Sequence, residues 1–160
     1  MISKEDIKHL EKIFPFWLDI SQNDRAKIIL SSRILSLKKN AIFFNSHDLD
    51  GLLFLKSGKL RFFLSHLEAR ELPLYYLNNM EVEFFEDFSD NSTSTVLDIA
   101  FIVEKNSEIL LIPYSILNLF RDKYSVMEKF LHNLTREKFS KSLLSLQNIL
   151  LIPLKDRLLK

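Results

Sequence analysis

Five acidic side chains lie close together in one short stretch of the sequence, and their oxygens are candidate ligands for a metal ion. The stretch from 81 to 90, EVEFFEDFSD, contains no basic residue. Carboxylate oxygens are the ligands that Ca²⁺ and Mg²⁺ prefer. The D-x-D-x-D-G spacing of a calcium loop is missing, however, so the sequence favours a solvated acidic loop and predicts no metal site. The five residues are Glu81, Glu83, Glu86, Asp87 and Asp90.

The other groups with catalytic chemistry are four histidines, and their positions do not match a zinc site or a catalytic triad. No two of them stand at alternate positions of one predicted strand, and no nucleophile signature joins a serine, a histidine and an aspartate. The chain has no cysteine, which excludes disulfides, iron–sulfur clusters and thiol nucleophiles. The sequence therefore predicts that the chain is not an enzyme. The histidines are His9, His47, His66 and His132.

Phenylalanines are interleaved with the acidic residues and offer a different kind of site. Phe84, Phe85 and Phe88 either line an apolar effector pocket or belong to the core. Large aromatic side chains are core residues more often than pocket residues, so both interpretations stay open.

The acidic stretch belongs to a longer segment that divides the chain electrostatically. From Glu71 to Glu104 there are eight acidic residues and no lysine or arginine. The whole chain has 22 basic and 21 acidic residues, so the remainder sets 22 bases against 13 acids, a net charge of +9. The overall charge of +1 argues against a dominant nucleic-acid surface, because such domains are usually strongly basic.

Length and hydropathy indicate one folded domain without a membrane span. The 160 residues are 47% hydrophobic and include 14 phenylalanines, which is ample core material. No uncharged apolar run approaches the ~18 residues that a membrane helix needs. The N-terminal residues are charged throughout, unlike a secretory signal, so we expect a cytoplasmic protein.

Hydrophobic spacing predicts helices at both ends of the chain and strands between them. Residues 3–14 have helical spacing, and Ser21 with Asp24 is typical of a capping box before a second helix that ends near Ser32. Seven or eight short β-prone runs follow over some 80 residues, which favours a sandwich or barrel-like roll. A short helix, YSILNLF, follows Pro113.

The two glycines of the chain, Gly51 and Gly58, lie seven positions apart. Gly58 stands in KSGKL, where a tight hairpin would need a positive φ angle. Gly51 ends a polar loop directly before an apolar strand, which suggests a similar turn. We therefore interpret both glycines as structural turn residues.

A long helix is predicted from about Asp122 to Leu151, and it has two apolar stripes. Spacings of three and four residues are typical of helix pairing, so one stripe is expected to pack on the roll and the other on a partner helix. Pro153 is expected at the start of a further helix. The predicted pairing residues are Met127, Leu131, Leu134, Phe139, Leu143, Leu146 and Leu150.

In order and spacing these elements resemble the sensor half of the Crp/Fnr superfamily of bacterial transcription regulators. The resemblance lies in LEKIFPFWLDIS, DLDGLLFLKSGKLRFF, ARELPLYYLNNME, STVLDIAFIVEKNSEILLIPYSILNLF and the long helix from VMEKF to DRLLK. It implies an α+β fold, in which an antiparallel β-roll of the cyclic-nucleotide-binding type (a double-stranded β-helix) is flanked by N-terminal helices and a long C-terminal helix. It divides the chain into a sensor at 1–121, a dimerisation helix at 122–151 and the start of a further region at 152–160.

The resemblance also implies a function. Such regulators are homodimers in which an effector bound in the roll shifts the long helices and so repositions a C-terminal helix-turn-helix domain on DNA. That DNA-binding domain is absent from the 160 residues, and we expect the chain to be part of a longer regulator. We expect a small-molecule effector and no membrane partner.

Cyclic-nucleotide readers of the superfamily carry a glycine–glutamate pair and an arginine that neutralises the phosphate. Here Met80 stands where a glycine is common, and Ser94 and Thr95 lie near the place of the arginine and its neighbour. Like charges at ~4 Å cost about 4 kcal/mol at an effective dielectric constant of ~20, so the acidic stretch argues against a bound phosphate. The predicted effector-pocket residues are Phe84, Phe85, Glu86, Ser94 and Thr95.

Two alternatives remain open. One is a degenerate roll without a ligand that acts as a dimerisation scaffold. The other is a haem sensor, since the superfamily includes such proteins; among the histidines, His132 on the long helix is then the best axial ligand.

Overall fold

Two short helices open the chain, and each begins at a serine that caps it. The computed structural model describes residues 2–44, 49–66, 71–85 and 97–158. Helix α1 spans Lys4–Ile13 and helix α2 spans Gln22–Ser31, with a 3-10 turn at Trp17–Asp19 between them. The side chains of Ser3 and Ser21 accept hydrogen bonds from the backbone N–H three residues later, as helix caps do. The predicted start of α2 is confirmed.

The sheet contains six antiparallel strands within the described residues. The strand order is β1-β6-β3-β4, with β2 added beside β6 and β5 beside β3. This open arrangement, together with the flanking helices, confirms the predicted α+β fold. The strands are β1 (Arg33–Leu37), β2 (Ile42–Phe44), β3 (Gly51–His66), β4 (Glu71–Leu77), β5 (Val82–Phe85) and β6 (Leu97–Pro113).

Strands β3 and β6 form the centre of the roll and are longer than the sequence predicts. Strand β3 joins the apolar runs LLFLK and KLRFFLSHL, and β6 joins TVLDIAFIV and SEILLIP; each run was expected to be a separate strand. The two strands pair from Gly51 with Pro113 to His66 with Leu97. The shorter strand β5 was not predicted as a strand. It pairs with the first four residues of β3, from Gly51 to Phe54.

The predicted hairpin at Gly58 is wrong, because β3 continues through this residue. The pairing with β6 shifts register around Gly58, which marks an irregularity in the ladder where the strand bends. Gly58 has a φ angle of +113°, and a Cβ atom there would lie 2.0 Å from the Ser107 hydroxyl oxygen. The bend needs both the positive φ angle and the missing side chain.

Gly51 is required by a close approach of two backbones rather than by a turn. Its φ angle is +145°, and a Cβ atom would lie 2.1 Å from the carbonyl oxygen of Ile112 in β6. Only glycine lets β3 begin directly against β6 at this point.

The core divides into two clusters, and β3 contributes to both. Leu52 and Phe54 pack beneath the helices, whereas Leu53 and Leu55 point into the interior of the roll. Alternate residues of a strand face opposite sides, so a strand buried on both sides is continuously apolar. This burial explains the run LLFL at residues 52–55.

Two helices complete the fold. Helix α3 spans Tyr114–Lys123, as predicted, and α4 spans Ser125–Leu158. The helix break expected at Pro153 is not observed, because α4 includes this residue. Neither α4 nor any other helix in the described part of the chain is long and apolar enough to cross a membrane.

A hydrogen-bonded cluster ties the junction of α3 and α4 to the start of α2. The Tyr124 hydroxyl donates to Asp24 Oδ2 (2.6 Å) and accepts from the Ser21 backbone N–H (3.1 Å). Lys123 Nζ lies 2.7 Å from the same Asp24 oxygen. Hydrogen bonds from Lys123 and Tyr124 lower the pKa of Asp24 from 3.8 to about 2.

Replacing Gly58 with alanine should destabilise the chain by about 2 kcal/mol or more, since the positive φ angle and the contact with Ser107 both oppose a Cβ atom. Chemical denaturation of the variant and of Ser57→Ala, a change at the exposed neighbouring residue, measures the difference. Equal free energies of unfolding for the two variants would contradict the role of Gly58.

Acid should weaken the fold through Asp24. Its pKa is lower in the folded chain, so between about pH 4 and pH 2 protons bind preferentially to the unfolded chain and stability falls as pH falls. Unfolding measured across this range should show a smaller pH dependence in Asp24→Asn than in the parent chain. The same slope in both would show that Asp24 is not held ionised.

Candidate functional site

A pocket lies between the sheet and helix α4. Its volume is about 240 Å³. Four strands, β3 to β6, each contribute one apolar side chain to it, and five residues of α4 form the opposite wall. The lining residues are Leu64, Leu74, Phe84 and Ile99 from the sheet and Thr135, Lys138, Phe139, Ser142 and Leu146 from the helix.

The helical wall arises from spacings of three and four residues, which place Thr135, Lys138 and Ser142 on the side that faces the sheet. The two hydroxyl groups donate to their own helix: Thr135 Oγ1 to the Leu131 carbonyl (3.1 Å) and Ser142 Oγ to the Lys138 carbonyl (2.8 Å). Their hydrogen atoms are therefore already used within α4.

Lys138 connects the pocket wall to a buried carboxylate. Its Nζ lies 3.2 Å from Glu83 Oε1 and donates to the Phe84 carbonyl oxygen at 3.2 Å. The ammonium group also lies over the Phe85 ring, 5.6 Å from its centre. Only 12% of the Lys138 side chain and 7% of the Glu83 side chain are exposed. A buried carboxylate needs such a partner, because desolvation of an isolated charge is costly.

Burial and charge act in opposite directions on Glu83. Desolvation raises its pKa, while Lys138 and the nearby Tyr75 hydroxyl lower it, and the net shift is upward. The pKa of Tyr75 is raised by burial and by the Glu83 carboxylate. Glu83, Lys138 and Tyr75 thus form one buried polar group that joins β4 and β5 to α4.

Two of the predicted pocket residues fall within the described part of the chain, and they differ in whether they line the pocket. Phe84 lines the pocket, whereas Phe85 belongs to the core inside the roll. The other three, Glu86, Ser94 and Thr95, lie outside the described residues.

The solvated acidic loop is a wrong prediction for Glu83, which is buried in an ion pair. Glu81 accepts a hydrogen bond from the Asn78 backbone N–H (2.8 Å). Within the described residues no three metal-binding side chains come together. Of the remaining acidic residues, Glu86, Asp87 and Asp90 lie outside that part of the chain, as does Phe88.

None of the histidines whose side chains the structure describes lines the pocket. His9 lies on α1 with its ring 5.0 Å from that of Phe54, and His132 is exposed on α4. The one lining residue with a nitrogen ligand is Lys138, whose ammonium group is paired with Glu83. These residues do not fit haem. His47 and the side chain of His66 lie outside the described part of the structure.

The predicted pairing residues of α4 separate into three groups. Met127 and Leu131 are fully buried in the chain's own core and Leu134 packs against it, which removes them from the candidate interface. Phe139, Leu143 and Leu150 have 67%, 45% and 70% of their surface exposed. Leu146 lines the pocket.

Sequence analysis did not identify Lys138 as a site residue. The signal that identifies it is helical spacing: residue 138 continues the row of Met127, Leu131 and Leu134 at intervals of four, three and four. A lysine at a position of this buried row faces the body of the domain. There its charge can pair with a carboxylate of the acidic segment, which has no basic residue of its own.

No family model matches the chain, and no curated protein matches it either. Several solved structures do match the chain. A transcriptional regulator described as belonging to the crp/fnr family, from Eubacterium rectale ATCC 33656, is 25% identical, with a TM-score of 0.76 over 89% of this chain. The chain spans 66% of the length of that protein.

Two further structures share the fold. The sensor domain of the transcriptional regulator DNR from Pseudomonas aeruginosa is 17% identical, with a TM-score of 0.58 over 84% of this chain and 89% of that domain. A mutant of CooA from Carboxydothermus hydrogenoformans is 14% identical, with a TM-score of 0.58 over 89% of this chain and 90% of that one.

The chain therefore has the fold of a sensor domain of the Crp/Fnr family of transcription regulators. The resemblance predicted from the sequence is confirmed at this level, over 89% of the chain.

Replacing Lys138 with methionine should destabilise the chain by about 3–5 kcal/mol, because Glu83 would be left buried without a partner. Lys129→Met, a change at an exposed lysine of the same helix, should have little effect. The double variant Glu83→Leu with Lys138→Met should recover most of the loss. Denaturation curves test all three, and a double variant no more stable than Lys138→Met alone would contradict the pairing.

Proposed function

We propose that the chain is the effector-sensing and dimerisation domain of a Crp/Fnr-like bacterial transcription regulator. The observation that carries this proposal is the pocket, because one of its walls is the long helix itself. A molecule bound there contacts both the sheet and α4. Its binding energy can therefore favour one position of the helix over another.

The coupling mechanism is a population shift. A ligand changes a conformational equilibrium only by its difference in affinity for the two states. Differences of about 1–3 kcal/mol are typical of regulatory coupling. The polar contacts between α4 and the sheet in the described part of the chain include the Glu83–Lys138 pair, the hydrogen bond from Lys138 Nζ to the Phe84 carbonyl oxygen, and a hydrogen bond from Ser145 Oγ to the Leu74 carbonyl oxygen.

Dimerisation is assigned to the exposed stripe of α4, formed by Phe139, Leu143 and Leu150. Their intervals of four and seven residues match the heptad repeat that is typical of paired helices. The stripe is adjacent to the pocket, since Phe139 also lines it. A second copy of α4 packed on the stripe would respond directly to occupancy of the pocket.

The regulated partner would be DNA, bound through a C-terminal domain outside these residues, and the protein would act in the cytoplasm. These elements rest on the resemblance to the family. Residues 122–151 would be the dimerisation helix of such a regulator, following a sensor at 1–121.

The ligand-free scaffold is less well supported than the sensor. A scaffold that only dimerises would need no ligand site, whereas the pocket of about 240 Å³ has a mostly apolar lining to which both the sheet and α4 contribute.

Leu143→Glu should convert dimers to monomers, because a charge would be buried without a partner between the helices. Light scattering should report about 38 kDa for the parent chain, twice the 18.9 kDa of one copy, and one copy for the variant.

Leu144→Glu is the matched control. Leu144 is also exposed, at 60%, but faces a different side of the helix from Leu143. The control should stay dimeric. A monomeric parent chain, or equal behaviour of the two variants, would overturn the assignment of the stripe.

A further inference from the structure

We infer that the pocket between the sheet and α4 accepts an uncharged, largely apolar molecule about the size of two fused rings. The inference rests on the proposed sensing function and names the class of effector. Three properties of the pocket lead to it: the chemistry of its walls, the state of its polar groups and its volume.

The walls are almost entirely apolar. The sheet contributes Leu64, Leu74, Phe84 and Ile99, and α4 adds Phe139 and Leu146. A surface of this kind favours ligands that lose water easily, and it offers aromatic faces on which a flat ring can pack.

The polar groups of the pocket have little hydrogen-bonding capacity left for a ligand. Thr135 and Ser142 both donate to carbonyl oxygens of their own helix. They retain only lone pairs, which can accept a hydrogen bond from a ligand O–H or N–H. The pocket therefore suits a molecule with one weak donor at most.

The charge of Lys138 is already balanced within the protein. Its ammonium group is held by Glu83 Oε1 and the Phe84 carbonyl oxygen, each at 3.2 Å. An anionic ligand beside Lys138 would also lie beside the Glu83 carboxylate, and the two negative charges would repel. The ion pair thus makes Lys138 a poor anion site, although it is the one cation of the pocket wall.

Volume sets the size of the molecule. An apolar cavity of about 150 Å³ in another protein accommodates benzene. The present pocket of about 240 Å³ is correspondingly large enough for a bicyclic ring system.

The experiment compares two probes that share one ring system and differ in a carboxylate group, naphthalene and 2-naphthoate, by titration calorimetry and ligand-detected NMR on the 160-residue chain at neutral pH. Naphthalene should bind at least about tenfold more tightly than 2-naphthoate, which corresponds to about 1.4 kcal/mol. Tighter binding of 2-naphthoate would overturn the inference, and so would the absence of binding by naphthalene.

A pair of matched variants locates the site. Ser142→Phe places a ring in the pocket and should weaken naphthalene binding at least about tenfold. Ser140→Phe makes the same change two residues away, at an exposed residue that does not line this pocket, and should leave binding within about twofold. Equal loss in both variants, or in neither, would show that the probe binds elsewhere.

A third variant tests the charge argument. Glu83→Gln removes the carboxylate and leaves the Lys138 charge unbalanced, so the preference should move toward 2-naphthoate by at least about tenfold. An unchanged ratio of affinities would show that Glu83 does not exclude anions. The ratio is informative even if the variant is less stable, because both probes are measured on the same protein.

Failure of this inference and failure of the proposed function are distinguishable. A dimeric chain that binds neither probe would refute the ligand class and leave the dimerisation proposal intact. A monomeric chain that binds naphthalene in the pocket would refute the dimerisation proposal and leave the ligand class intact.

Discussion

The burial of one carboxylate, Glu83, determines how helix α4 sits on the sheet. A buried carboxylate requires a nearby cation or hydrogen-bond donors, and the segment that contains Glu83 has no basic residue of its own. Lys138 supplies the charge from a residue 55 positions later. The helix is thereby held at a defined place against β5, and the space left beside the ion pair is the pocket. Stability and the proposed ligand binding consequently depend on the same contact.

A second constraint fixes the shape of the roll. Strands β3 and β6 are buried on both faces where the start of β3 pairs with the end of β6, and the two strands must bend together to enclose a core. The bend is possible because Gly58 adopts a positive φ angle and leaves room for Ser107. Gly51 lets the same strand start against the backbone of β6. The two glycines are thus used at the two points where the sheet allows no side chain.

Much of the fold could be predicted from sequence because hydrophobic spacing and caps are local signals. Helix α2 begins at Ser21 as its capping pattern indicates, and strands β1, β2 and β4 lie where apolar runs predict them. The errors arise where tertiary contacts decide. A turn and a bend have the same glycine signature, so Gly58 was assigned to a hairpin. The acidic stretch gave no sign that Glu83 is buried, since its partner lies far away in the sequence.

Helix α4 is fastened near its beginning and more exposed farther along. The Tyr124 cluster and the buried Met127 and Leu131 fix its first turns, while Leu150 and Leu151 are 70% and 50% exposed. From Leu131 to Leu158 the helix rises about 40 Å at 1.5 Å per residue. A tilt of about 5° around the fastened end would displace the far end by about 3.5 Å over that length. The geometry is that of a lever, in which a small repositioning at Lys138 becomes a movement as large as a side chain at the tip.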